Sequence, residues 1–146
     1  MEVILSPAQT DADLDLEGQV RDSVNKLDFL NGTRAWVNID VADGHVTLRG
    51  NVQSPMSAVE VERAAAEVAG VKSVTGLVVD DATLSRRVAE SLARDPRTSA
   101  IPPGYEVTVM FGYITLIGRF TEEQALAAQA VSQAVPDVRS VHVKRL

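Results

Sequence analysis

Apolar residues recur along the chain with two different spacings, and each spacing is typical of one class of secondary structure. Near the N-terminus they recur every three or four positions, which places them on one face of an α-helix: Leu16, Val20, Val24 and Leu27. From Trp36 to Val41 apolar and polar residues alternate, as they do in a strand with one buried face. The spacing therefore predicts a first helix that ends at Asn31-Gly32, followed by a strand.

Two turns in the sequence predict tight β-hairpins. The first is Asp43-Gly44, a pair that suits a two-residue turn because both central positions need a positive φ angle. The second is Phe111-Gly112, and after each turn the returning strand closes on a further glycine. We interpret these glycines as structural, the first of each pair serving the turn and the second lying where a helix crosses the strand closely: Gly44 and Gly50, then Gly112 and Gly118.

The same order of elements occurs twice. Ser54-Pro55 predicts the start of a second helix, with serine as the cap and proline in the first turn, and residues 71–79 predict a third strand. The apolar positions return at an offset of about 68 residues, and Thr121 starts the matching last helix with a capping box. The sequence therefore predicts an α+β protein with a lead-in and two tandem αββαβ domains, at residues 1–12, 13–80 and 81–146.

The composition narrows the classes of function. The 146 residues include no cysteine and two histidines, which excludes disulfides and cysteine nucleophiles and disfavours a histidine-based metal centre or triad. No combination of residues suggests catalysis, and we predict no enzymatic activity, metal or cofactor. No apolar run approaches the ~20 residues of a transmembrane helix. The acidic balance argues against nucleic acid as a partner.

The N-terminus decides the expected location of the protein. The first seven residues lack a basic segment followed by a long apolar one, so they do not form a secretory signal. If Met1 is the native start, we expect a cytoplasmic protein. If a signal peptide has been removed, we expect a periplasmic one.

The residues around both hairpins resemble the BON domain family, whose pattern reads x-V-x-V-x-x-G-x-V-T-L-x-G-x-V. The first copy matches it at Ile39, Val41, Gly44, Val46, Thr47, Leu48, Gly50 and Val52, and the second at Val107, Val109, Gly112, Ile114, Thr115, Leu116, Gly118 and Phe120. After the second helix the family pattern continues as G-V-x-x-V, matched at Gly70, Val71 and Val74 in the first copy and at Val138 and Val141 in the second. The second copy departs from this pattern at Asp137, where the family has glycine. The resemblance extends from about residue 12 to residue 146.

The resemblance implies a fold and a kind of function. The implied fold is a three-stranded sheet covered on one face by two helices in each copy. The implied function is non-enzymatic, since proteins that resemble this family are usually not enzymes. These bacterial domains occur in osmotically inducible periplasmic proteins and related proteins. They are associated with binding to phospholipid surfaces or envelope partners and, in some members, with sensing small ions.

Charge is divided unequally between the two halves of the chain. Residues 1–83 carry 6 basic and 14 acidic side chains, whereas residues 84–146 carry 8 and 6. Arginines cluster in the predicted first helix of the second copy: Arg86, Arg87, Arg94 and Arg97. Such a helix can bind an anionic phospholipid surface, or its arginines can form a solvated face that pairs with the acidic first copy. We interpret the carboxylates of the first helix as a solvated helix start: Asp11, Asp13, Asp15 and Glu17.

The second hairpin tip breaks the usual turn chemistry. Aspartate is expected at such a turn, but the second copy has phenylalanine there, between two further large residues: Met110, Phe111 and Tyr113. An apolar turn is either covered or presented to a partner. The two explanations are that Phe111 packs on the other copy or on the loop at residues 101–104, or that it contacts a membrane, a protein or a second copy of the chain.

We therefore predict a binding or scaffold module that acts through its second domain. The predicted partner is an anionic phospholipid surface or an envelope protein, with a link to osmotic stress. The alternative is a sensor of a small ion or small ligand, with its site between the two copies.

Overall fold

The protein folds into two compact units, divided in the sequence between Val78 and Val79, in a computed structural model that describes residues 10–30 and 34–146. The first unit contains α1 (Asp11–Asn25), β1 (Trp36–Ala42), β2 (His45–Val52), α2 (Pro55–Ala66) and β3 (Ser73–Asp80). The second contains α3 (Asp81–Arg94), β4 (Glu106–Met110), β5 (Tyr113–Gly118), α4 (Glu122–Gln133) and β6 (Ser140–Arg145). This order confirms the predicted α+β fold of two tandem αββαβ halves.

Each unit is built on one three-stranded sheet. The strand orders are β1-β2-β3 and β4-β5-β6, and the first two strands of each sheet form an antiparallel hairpin. β6 lies parallel to β5, because α4 carries the chain back between them. The two helices of each unit pack against each other and against the sheet, as the resemblance implied.

Alternation along the strands and helical spacing along the helices bring the apolar residues into one core per unit. The stripes predicted for the first helices are buried in both units: Val20 and Val24, then Leu84, Val88 and Leu92. On the returning strands, Val46 and Leu48 match Ile114 and Leu116, and all four are buried. Val79 packs in the core of the second unit, although it lies on the third strand of the first sheet.

The first helix ends earlier than its pattern predicts. α1 stops at Asn25, and a short 3₁₀ turn follows at Asp28–Leu30. The N–H of Leu27 donates to the carbonyl of Val24 at 3.0 Å, so the chain tightens and still turns Leu27 toward the core. A tightened turn preserves the apolar spacing, and this is why the prediction was wrong. Asn31 and Gly32 lie outside the described residues.

The glycines that close the hairpins are required by a neighbouring strand and not by a helix. A Cβ placed on Gly50 would lie 2.0 Å from the backbone carbonyl oxygen of Trp36. A Cβ on Gly118 would lie 2.7 Å from Cβ of Tyr105, just before β4. The expectation of a crossing helix was therefore wrong, because the close approach comes from within the sheet.

The predicted helix starts are confirmed. Ser54 accepts a hydrogen bond from the N–H of Ser57 at 3.2 Å, and Pro55 follows it in the first turn. Thr121 and Gln124 form the predicted reciprocal capping box, with bonds of 3.1 and 2.9 Å. These caps fix where the second helix of each unit leaves the sheet.

Candidate functional site

Both hairpins turn through two residues in the left-handed conformation. In the first unit Asp43 has a φ of 51° and Gly44 a φ of 78°. In the second unit Phe111 has a φ of 49° and Gly112 a φ of 86°. Positive φ at both central positions is the geometry of a type I′ turn. Aspartate tolerates this region because its short polar side chain bonds locally, but phenylalanine has no such compensation.

In the first unit the turn is held by a carboxylate from the start of α1. Asp13 accepts hydrogen bonds from the N–H groups of Asp43 at 2.9 Å and Gly44 at 3.0 Å. It also accepts from the N–H of Thr10, the residue that caps the helix. Asp13 is only 4% exposed, so the prediction of a solvated side chain at this position was wrong. The N–H groups of the turn donate the hydrogen bonds that water would otherwise donate to this carboxylate.

The second unit holds its turn in the same way. Asp81, at the start of α3, accepts a hydrogen bond from the N–H of Phe111 at 2.8 Å. The turn carbonyls are also matched, because the N–H of Lys72 donates to Gly44 and that of Arg139 donates to Gly112, both at 2.8 Å. We call the bond from Asp13 or Asp81 to its turn the carboxylate clasp.

The two clasps differ in their electrostatics. Hydrogen bonds from the turn, first of all from Asp43, hold the pKa of the Asp13 carboxyl below its ordinary value. Burial raises the pKa of the Asp81 carboxyl, which also lies beside the negative charge of Asp80. The hydrogen bonds from the turn favour the charged carboxylate in both units, but burial outweighs them at Asp81 and favours its protonated form.

The tips of the two hairpins carry different side chains on this shared frame. The second-unit tip consists of Met110, Phe111, Tyr113 and Arg139, and the first-unit tip has Ala42, Asp43, His45 and Lys72 at the same positions. Met110 is 55% exposed, and Phe111 is half-buried. The Arg139 guanidinium lies 4.5 Å from the centre of the Tyr113 ring. The sequence alone predicted Met110, Phe111 and Tyr113 as candidate site residues, but not Arg139.

The second-unit tip is not part of the core of its unit. The partly buried side chains that pack on that core come from elsewhere in the described chain: Ile101, Tyr105, Val107, Val109, Ala125, Val138 and Val143. Phe111 is absent from this set. The backbone N–H of Phe111 is held by Asp81, at 2.8 Å.

The predicted basic helix is shorter and less positive than expected. α3 ends at Arg94, so Arg97 lies in the following turn, where its guanidinium binds Asp95 through bonds of 3.0 and 2.9 Å. Arg97 was therefore wrongly assigned to the helix, because Asp95 and Pro96 stop it. Arg94 and Arg97 line one groove of about 460 Å³ at the ends of α3 and α4.

The remaining two arginines are exposed on α3. Arg87 lies 3.8 Å from the carboxylate of Asp137, and Arg86 faces solvent. Glu90 is four residues after Arg86 and four before Arg94, so a negative charge lies among these arginines on the helix. The structure thus separates the four candidate arginines between two ends of α3.

A cavity of about 420 Å³ opens beside the first hairpin turn. Its walls combine apolar residues of α1 and of the turn after α2 with charged side chains: Thr10, Ala12, Asp13, Asp15, Leu16, Gln19, Asp43, Gly44, Ala69, Gly70 and Lys72. Asp43 and Lys72 approach to 3.3 Å, and the Asp43 side chain is 81% exposed. We call this the first-unit cavity.

Two other kinds of site are absent from the described residues. No group of three or more histidines and carboxylates within residues 10–30 and 34–146 could hold a metal ion. Within the same ranges, no helix is long and apolar enough to cross a membrane. The predicted ion or ligand site between the copies stays a prediction.

Tandem αββαβ domains with glycine-closed hairpins define a class of small α+β domain. The BON domain family matches residues 12–79 and again residues 80–146. The protein therefore belongs to the BON domain family and contains two copies of the domain, which confirms the resemblance seen in the sequence. No curated protein matches the chain. Membership supports a binding or scaffold role rather than catalysis.

Solved structures share the fold. The chain is similar to CdsD, a structural protein of the type III secretion system of Chlamydia trachomatis, with a TM-score of 0.62, 19% identity and 90% coverage. It is also similar to the C-terminal domain of CdsD, with a TM-score of 0.60, 18% identity and 91% coverage. The chain spans 60% and 64% of the length of these two chains. At this identity the likeness shows the fold alone.

Sequence reasoning missed the carboxylate clasp. A signal for it existed, because Asp13 and Asp81 are separated by the same 68 residues as Asp43 and Phe111. Sequence reasoning also missed Arg139, which follows the departure from the family pattern at Asp137. The clasp is hard to predict because acidic residues at a helix start are usually solvated.

Proposed function

We propose that the protein is a non-enzymatic scaffold module that binds a protein partner through the second-unit tip. The observation that carries this proposal is Phe111 in a left-handed turn position. A bulky residue persists in that conformation when the surroundings enforce it, and such residues concentrate at functional sites. The first unit shows that the same turn is readily built with aspartate.

The composition of the tip favours a protein surface. Protein interfaces are enriched in aromatic residues, methionine and arginine, and the side chains that dominate binding are often tyrosine or arginine. The second-unit tip combines Met110, Phe111 and Tyr113 of the hairpin with Arg139, which lies one residue before β6. Arg139 packed against Tyr113 presents a flat and partly ordered surface, which lowers the entropy lost on binding.

A phospholipid surface is less well supported by the charges. Each basic residue near an anionic membrane contributes about 1 kcal/mol, so several free charges are needed. Arg97 is bound to Asp95, and Arg87 is close to Asp137. Glu90 further reduces the positive charge of α3. We therefore propose the protein partner and treat the membrane as an outcome of the experiment.

The test places a photoactivated cross-linking residue at Met110 in the full chain, expressed in its native cells. We expect an adduct of discrete mass, with the partner protein identified by mass spectrometry. The matched control carries the same residue at Met56, which is 63% exposed on α2, and should give no such adduct. Changing Phe111→Asn in the Met110 variant should remove the adduct while leaving the fold intact.

Two results would contradict this proposal. Equal adducts at positions 110 and 56, or an adduct that survives Phe111→Asn, would show that the second-unit tip is not the contact surface. Sedimentation of the purified chain with anionic vesicles, lost in the Phe111→Asn variant and without a protein adduct, would assign the tip to a membrane.

A further inference from the structure

We propose that the partner of the second-unit tip is a second copy of this chain, which receives the tip in its first-unit cavity. This inference rests on the proposed function and names the partner of the same site. It joins two features that differ between the units: an exposed apolar and basic tip in one, and an open cavity with an acidic rim in the other.

The first-unit cavity has the chemistry to receive such a tip. Leu16, Ala12 and Ala69 give it apolar walls, whereas Asp15 and Asp43 bring carboxylates to it. The Asp43 carboxylate is shared with Lys72 at 3.3 Å, so Asp15 is the principal acidic contact for an incoming cation. An apolar side chain such as Met110 loses exposed area when it enters such a space. A neighbouring arginine such as Arg139 then meets the carboxylates. The cavity volume of about 420 Å³ leaves room for one large side chain.

The same place in the second unit carries larger side chains. Gln19, Ala69 and Gly70 of the first unit correspond to Arg87, Pro136 and Asp137 in the second unit. Arg87 and Asp137 approach each other to 3.8 Å across this position. The contact therefore joins unlike surfaces, the tip of a second unit and the cavity of a first unit.

The charge of the units disfavours one alternative, the contact of two first units. Residues 1–78 carry 6 basic and 12 acidic side chains, whereas residues 79–146 carry 8 of each. Two first units facing each other would repel, and a first unit facing a second unit avoids that repulsion. Because the two contacting surfaces differ, copies add head to tail and build a ring or an open chain rather than a symmetric dimer.

The test uses the purified full chain and sedimentation velocity over a concentration series. We expect wild type to form assemblies that grow with concentration. Asp15→Arg on the cavity and Met110→Glu on the tip should each raise the dissociation constant about tenfold or more. The control is Met56→Glu, which adds the same charge to another exposed methionine and should leave the assembly unchanged.

Combining the variants makes the test specific. The double variant Asp15→Arg/Met110→Glu should assemble again, because the new glutamate meets the new arginine. An equal mixture of the two single variants should also assemble, because every chain then finds a matching surface. Circular dichroism should show the same fold for all chains.

The outcomes separate this inference from the proposed function. The second copy is not the partner if the wild-type chain stays monomeric, or if Asp15→Arg leaves the dissociation constant of the assembly unchanged. In that case a cross-link from Met110 to a different protein would still support the proposed function. Absence of both self-assembly and a specific adduct at Met110 would overturn both.

Discussion

At the scale of single residues, the two hairpin tips differ at a position where the backbone restricts the side chain. Asp43 and Phe111 have nearly the same φ angle, 51° and 49°. A residue with a Cβ atom loses roughly 1–2 kcal/mol in this conformation, and aspartate or asparagine loses less. Phe111 therefore lowers the stability of its unit, and the carboxylate clasp from Asp81 opposes that loss.

Replacing Phe111 should stabilise the second unit. We expect Phe111→Asn to raise its free energy of unfolding by about 1 kcal/mol, because asparagine suits the left-handed region. Urea unfolding followed by the tyrosine signals measures the change. The reverse substitution, Asp43→Phe, should lower the stability of the first unit by a similar amount. An unchanged or lower stability for Phe111→Asn would contradict this account of the turn.

At the scale of elements, the aspartate that joins a helix start to a hairpin turn contributes stability that depends on pH in opposite directions in the two units. The pKa of Asp13 is lowered by hydrogen bonds from the turn, so its ionised form stabilises the first unit. This stability is present above the ordinary value of 3.8 and is lost as the pH falls through the lowered pKa. The pKa of Asp81 is raised, so its contribution is lost as the pH rises through that pKa.

Acidification should therefore distinguish the two clasps. Between about pH 6 and pH 3, Asp13→Asn should flatten the loss of stability of the first unit, because its carboxyl no longer takes up a proton on unfolding. Asp81→Asn should steepen the loss in the second unit, since a compensating contribution is removed. Urea unfolding at several pH values measures both slopes. Equal slopes in wild type and both variants would refute the assignment.

The hairpin-closing glycines give a second prediction at this scale. Gly50→Ala places a methyl group against the backbone carbonyl of Trp36, which cannot rotate away, and should cost about 1–3 kcal/mol or more. Gly118→Ala meets the Cβ of Tyr105 at a longer distance and should cost less. Urea unfolding of each variant gives the comparison, with Gly18→Ala as the control because nothing lies near that position. A larger loss of stability for Gly118→Ala than for Gly50→Ala would contradict this explanation.

Most of the elements could be predicted because their signals are local. The stripe of Leu84, Val88 and Leu92 and the cap at Ser54 each depend on residues within a few positions. The carboxylate clasp and the neighbour of Gly50 could not be predicted in this way, since each joins residues from separate elements. Leu27 shows a third case, because a 3₁₀ turn and an α-helix both place it on the core side.

The candidate site could be predicted only in part. Phe111 was recognised because it breaks a turn rule that applies to any hairpin. Arg139 comes from the start of another strand, and Arg97 was assigned to a helix that ends at Arg94. Sequence therefore identified the unusual turn and its flanking residues, but not Arg139, which packs beside them.

At the scale of the whole molecule, the aromatic residues report on the two units separately. Trp36, the one tryptophan of the chain, lies in the first unit, and Tyr105 and Tyr113, the two tyrosines, lie in the second. Each unit also has its own buried core. Tryptophan fluorescence and the tyrosine bands of circular dichroism thus follow different units.

Substitutions should act on the unit that carries them. We expect Phe111→Asn to shift the unfolding transition followed by tyrosine and to leave the one followed by tryptophan unchanged. Asp13→Asn should shift the tryptophan transition and leave the tyrosine transition unchanged. The physical reason is that the buried clusters share no residue. Thermal and urea unfolding with both probes measure this. Equal shifts of both probes in either variant would show that the units unfold together.

β3 and α3 follow one another without an intervening residue, and this limits where the chain can be divided into two separate units. Val79 belongs to a strand of the first sheet and to the core of the second unit, and Asp80 ends that strand and caps the next helix. Cutting the chain before or after Val79 and Asp80 removes these two residues from one of the two units. Each unit expressed by itself therefore needs Val79 and Asp80 to keep its own structure whole.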